Sequence, residues 1–287
     1  EVRYGGGGSL GAVIDSGAAL ALTNSTIRNS SSAGLRIAGS NPTLTNNTFQ
    51  DNGAAISMDL ASNPTFSGVT LSGNGVNGVS LDAGTLTGAQ VWDDPELVYR
   101  LTGDVTVAAG ATLTIGPGQV VKVAAFQGAD LIVSGTLVAD GTALQPIIVT
   151  SDYDDSVGGD TTNNGATTAG PGYWNSIQFG ATSTGNVLDH VEVRYGGASS
   201  FGAVVNNGVA LALTNSTIRN SSTAGLRIAG SNPTITNTTF LNNSGAAISM
   251  DLTKGKDPNG TLTTIAVAPS DPKVVYTGSS DGKVDMT

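Results

Sequence analysis

Residues 1–60 return almost verbatim at 192–252: Glu1-Val-Arg-Tyr-Gly-Gly reappears as Glu192-Val-Arg-Tyr-Gly-Gly, and the run from Ala19 to Asn29 reappears as Ala210 to Asn220. Inside each copy a shorter period of 22 residues runs. Asn41-Pro42 recurs as Asn63-Pro64, Leu22 as Leu44 and Phe66, and Ile27 as Phe49 and Leu71. A short period nested in a long one leaves few folds open, because each short unit must stack on its neighbours to bury an apolar face.

Within one period, Leu20-Ala-Leu22, Thr26-Ile27 and Leu35-Arg-Ile37 alternate apolar and polar residues, and the stretches between them are rich in Gly, Asn, Ser and Pro. Alternation at period 2 between such corners means short strands. A hairpin sheet does not require one residue type to return at one fixed spacing, whereas a coil that advances one strand spacing per turn, about 4.8 Å, does. The pattern therefore predicts parallel strands whose Leu, Ile and Phe side chains pile into columns. Arg28, Arg36, Ser57 and Ser80 then point outward. Charged residues make up only 12% of the chain, too few for exposed helix faces, while Thr, Ser and Asn suit an outward strand face. The fold class read from this is all-β, a solenoid of about 22 residues per coil.

Three segments follow. Residues 1–91 read as the last coils of one unit, and 92–252 as a second unit with a protruding acidic loop over 151–172. Residues 253–287 leave the pattern and read as end-closing strands or a linker. The runs Tyr99 to Val123, Gly135 to Thr142, Pro146 to Asp155 and Tyr173 to Phe179 resemble the right-handed parallel β-helix repeats of large bacterial secreted and surface proteins. That resemblance supplies the handedness and implies an extracellular or cell-surface location. It also implies a choice of roles, since the scaffold carries adhesins, tail fibres and polysaccharide lyases. Leu262 to Val284 resembles one blade of the Asp-box type of β-propeller, with Ser279, Asp281 and Gly282 approximating the box.

Twenty-two acidic residues against 12 basic give a net charge of −10, and the basic residues are scattered along the sequence, so nucleic acid is not an expected partner. No apolar run reaches the length of a membrane span. The chain opens mid-unit, so the missing signal peptide says nothing about secretion. With no cysteine and a single histidine, His190, disulfides, zinc sites and Ser-His-Asp chemistry are out of reach. Asn-x-Ser/Thr tripeptides at Asn24, Asn29, Asn46, Asn215, Asn220, Asn237, Asn242 and Asn259 read either as glycosylation sites or as corner chemistry.

The densest carboxylate group is Asp152, Asp154, Asp155 and Asp160 in the Gly-rich loop. Its hard oxygens suit Ca²⁺; the other reading is a solvated acidic loop. Asp93, Asp94 and Glu96 read as a solvated turn. Glycoside hydrolysis needs two facing carboxyl groups, and lyase chemistry needs an Arg or Lys base. Among the regular coils, however, Asp15 and Asp51 of the first copy give way to Asn206 and Asn243 in the second. The Gly-His-Gly and Asn-Thr-Asp signatures of the pectin hydrolases are also missing. The residues thus predict no enzyme but a structural or adhesive segment, a rigid spacer whose partners are glycans or neighbouring copies. A polysaccharide-binding module or lyase is the alternative.

Overall fold

A computed structural model describes residues 1–8, 10–199 and 202–251 in full, together with the backbone of the strands Leu262–Ala268, Asp271–Ser279 and Val284–Met286. The first thirty strands wind as a parallel solenoid with three strands per coil. No helix occurs among the described residues. One sheet of ten strands runs from Gly11–Ser16 to Thr239–Leu241. Each of the other two faces is divided. Sheets of four and three strands serve the first coils; a sheet of seven strands takes over from Gly84–Leu86 and one of six from Ala89–Trp92.

The columns form as the 22-residue period requires. Leu22 pairs with Leu44 and Leu44 with Phe66; Ile27 pairs with Phe49 and Phe49 with Leu71; Leu35, Ile56 and Val79 form a third column. Ile27, Leu35, Leu44, Phe49 and Ile56 are fully buried, each contributing about 1.5–3 kcal/mol relative to exposure. Trp92, Tyr99, Trp174 and Phe179 are buried in the core of the later coils.

Corners follow two rules. Asn24, Asn29, Asn46, Asn215, Asn220, Asn237 and Asn242 all take φ between 48° and 57°, the left-handed region that Asn tolerates best after Gly. Seven of the eight Asn-x-Ser/Thr tripeptides are therefore corner residues, and Asn259 lies outside the described residues. Asp51 has φ 53° and Asn242 has the same value, so Asn242, not Asn243, stands at the place of Asp51. The inner corner is a ladder of buried amides. Asn52 donates to the carbonyl of Ile27 (3.0 Å) and accepts from the Ser30 amide (2.9 Å); Asn74 repeats this one coil on, and Asn243 holds the corresponding place in the second copy. Each amide satisfies backbone groups that would otherwise cost about 1–3 kcal/mol when buried.

The two near-identical copies do not lie on the same faces. Twenty-two strands separate Val2–Arg3 from Val191–Arg194, which at three per coil is seven coils and one strand over. The ten-stranded sheet accordingly takes Gly11–Ser16 from the first copy but Val191–Arg194, the counterpart of Val2–Arg3, from the second. Arg36 and Arg219 share that sheet, while Arg28 and Arg227 lie on others, so the repeated arginines do not occupy corresponding faces.

Leu262–Ala268, Asp271–Ser279 and Val284–Met286 pair antiparallel, in contrast to every pair before them. Asp281 and Gly282 of the Asp-box resemblance lie outside the described residues.

Candidate functional site

The outward side chains of the ten-stranded sheet form a column that no local stretch of sequence displays. Ile14, Arg36, Ser57, Ser80, Arg100, Lys122 and Thr150 are successive register partners. The pairing of Val149 with Val193 sets Thr150 beside Arg194, and Arg194 pairs with Arg219. Five of the chain's 12 basic residues thus stand in one line, a correction to their scattered look in the sequence.

A bare row of cations one strand spacing apart would repel itself. Carboxylates of the same chain pair its four arginines. Asp82 grips Arg36 with both oxygens (2.9 and 2.5 Å). Asp152 meets Arg100 at 2.9 Å, Asp154 meets Arg194 at 3.1 Å, and Glu192 bridges Arg194 and Arg219. The two aspartates arrive from the loop after Ile147–Ser151, which folds back over the face instead of projecting into solvent. The loop is pinned by hydrogen bonds from the Asn77 amide to the Thr161 carbonyl (2.7 Å) and from Lys122 Nζ to the Gly159 carbonyl (2.7 Å). Asp152 and Asp154 are 2% exposed, and Lys122 is fully buried. Neither a projecting loop nor a solvated carboxylate describes them.

Burial lowers the ammonium pKa of Lys122, against the pull of Asp155, Asp154, Asp152 and Asp160. Burial also works to raise the Asp154 carboxyl, but hydrogen bonds from Ser156, Thr150 and Arg194 outweigh it and hold the group below its ordinary value. Glu192 is held low in the same way, burial being opposed by Arg194 and Arg219.

The four loop aspartates are directed to separate partners. Asp152 takes Arg100 and the Ala125 amide; Asp154 takes Thr150, Ser156 and Arg194. Asp155 accepts from Thr167, and Asp160 accepts from the amides of Asn164 and Gly165. Among the described residues no three His, Cys, Asp or Glu gather as a metal cage. As arranged, the four aspartates do not converge on one cation site.

In Asp93-Asp94-Pro95-Glu96 the side chains of Asp93 and Glu96 are exposed, as a solvated turn requires, but Asp94 is half-buried and the turn has a structural task. It closes an edge where the three-stranded sheet ends at Thr65–Ser67. There Asp94 accepts from the Phe66 amide (3.4 Å) and the Tyr99 hydroxyl (2.7 Å), and Glu96 accepts from the Gly68 amide (3.1 Å). Carboxylates thus stand in for a missing strand. Beside this turn lies a cleft of ≈ 380 Å³, bounded by Val69, Leu71, Glu96, Val98, Val120 and Asp160. Its two acids accept from backbone amides, Glu96 from Gly68 and Asp160 from Asn164 and Gly165. His190 occupies a left-handed corner (φ 49°) with Nδ1 3.3 Å from Asp189, a corner role like that of the Asn residues.

No curated protein and no solved structure gave a significant match to the chain. Two family models do match: the right handed beta helix region over residues 4–90, and the pectate-lyase like beta helix domain over residues 84–204. They meet where two of the three faces change sheets. Parallel coils, stacked columns and both matches agree that, from residue 4 to residue 204, this chain is built of right-handed β-helix domains.

Proposed function

We propose that the chain is a rigid segment of an extracellular bacterial surface protein, a spacer with a lateral binding surface. The observation that carries this reading is the state of the column: Arg100, Lys122 and Arg194 are each engaged by the chain's own oxygens beneath a folded-back loop. A lyase base must reach the carbon acid of its substrate, and a fully buried lysine under a pinned loop is poorly placed to do so. The same contacts brace one coil against the next, as a spacer requires. Because the copies are turned by one face, the lateral surface is no stripe of repeated patches, and avidity along one side gains little from the repeat.

The match to the pectate-lyase like domain supports a second reading, a carbohydrate-active β-helix. Incubation with polygalacturonate and with neutral polysaccharides, followed by reducing-end and unsaturated-uronate assays, separates the two. The spacer reading expects no cleavage, and turnover of any of these polymers overturns it.

A further inference from the structure

Fourteen residues of the chain are aromatic, and six of them, Phe49, Phe66, Trp92, Tyr99, Trp174 and Phe179, are buried in the core. Three others, from separate stretches of chain, meet on the outside. Phe126 follows the strand Val120–Val123, and Tyr153 and Tyr173 stand at the two ends of the folded-back loop. Ring centroids lie 4.5 Å apart for Phe126 and Tyr173, 5.7 Å for Phe126 and Tyr153, and 5.8 Å for the two tyrosines. Interplanar angles of 50°, 73° and 78° make this a tilted cluster rather than a closed stack.

Phe126 is 66% exposed and has φ 60°, a conformation that a bulky residue rarely adopts. Gly or Asn fills most corners of this type elsewhere in the chain, so the turn itself does not call for a phenylalanine. Strain held at an exposed aromatic points to use of the ring by something outside the fold. A second observation agrees: among the described residues neither the Tyr153 nor the Tyr173 hydroxyl has a hydrogen-bond partner in the protein. Exposed ring surface with free phenols at its rim suits a ligand that is apolar on one face and hydroxylated at its edge, which describes a pyranose ring.

Charge selects the kind of sugar. The cations beneath the neighbouring loop are not open to a ligand carboxylate, since Arg100 and Arg194 are paired with Asp152 and Asp154 and the buried Lys122 donates to the Gly159 carbonyl, and the whole chain carries −10. A polyuronate would be repelled. We propose that Phe126, Tyr153 and Tyr173 form a stacking platform for a neutral pyranose glycan. This gives the lateral surface of the proposed function a ligand class and rests on that reading. The two fail separately, since solution scattering reports the rod and titration reports the platform.

The test is calorimetric titration of the full chain with cellohexaose, maltohexaose and hexagalacturonate, repeated with Phe126→Gly and Tyr153→Phe. Glycine accepts φ 60° without strain, so Phe126→Gly should keep the melting temperature while weakening neutral-hexaose binding at least about tenfold. Tyr153→Phe keeps the ring and should weaken it about threefold through the lost hydroxyl, and it decides the matter if Phe126→Gly fails to fold. The proposal is overturned if neither neutral hexaose binds, if hexagalacturonate binds more tightly than both, or if folded variants bind as the parent does.

Discussion

Residues 1–59 and 192–251 are nearly one sequence with one core, yet they have two exteriors. Ile27 and its counterpart Ile218 are both fully buried, and Asn52 and its counterpart Asn243 hold the same inner corner. Outside, the pairs diverge. Glu1 and Arg3 form an exposed contact at 2.6 Å, whereas their counterparts Glu192 and Arg194 are wedged among Asp154, Ser156 and Arg219. Moving the second copy round by one face sets Val191–Arg194 on the ten-stranded sheet, and the folded-back loop then closes over it. The inward pattern specifies a coil; the neighbours decide what its outer residues do.

The comparison breaks first at the arginines. Arg194→Ala leaves the buried Asp154 without its cation and Glu192 with Arg219 alone, and should cost about 3–5 kcal/mol in chemical denaturation. Arg3→Ala, the same change in the other copy, should have no measurable effect, and equal losses would show that the exteriors are not distinct. The cores should behave alike. Ile27→Ala and Ile218→Ala should each cost about 2–5 kcal/mol, a difference larger than about 1 kcal/mol showing that the columns are packed unequally.

Acid should loosen the second copy before the first. Asp154 and Glu192 keep their charge in the fold at pH values where their unfolded counterparts, near 3.8 and 4.5, take up protons. The stability they lend is fully present above 4.5 and is lost as pH falls through their lowered folded values. Hydrogen exchange across Val191–Arg194 should therefore rise below pH 4.5 in the parent, and Asp154→Asn should flatten that rise. The smallest expected effect is that of calcium. With all four loop aspartates already accepting hydrogen bonds, millimolar Ca²⁺ should leave the melting temperature unchanged, and a clear rise would show that the loop rearranges to bind it.

The columns were legible because the 22-residue period names their members directly: Leu22 over Leu44 over Phe66 needs only counting. The left-handed corners were legible too, since Asn and Gly recur where the chain must turn. Hidden from view were features whose partners lie several coils apart. Arg100 and Asp152 are 52 residues apart, and Arg194 and Asp154 are 40 apart, distances fixed by loop lengths that break the period. Once the loop's length departs from the repeat, the register of everything after it is unknown until coils are counted in three dimensions. The turn of the second copy by one face escaped for the same reason.

That turn is open to direct test, since a chain without cysteine accepts engineered pairs cleanly. Ile148 and Glu192 are register partners on the ten-stranded sheet, while Val138 belongs to the six-stranded sheet and pairs with Val187. Adjacent strands place Cα atoms about 5 Å apart, within disulfide reach. Under mild oxidation, Ile148→Cys combined with Glu192→Cys should lose its free thiols, and Val138→Cys combined with Glu192→Cys should retain them. The reverse result would put the two copies on the same face and contradict the account.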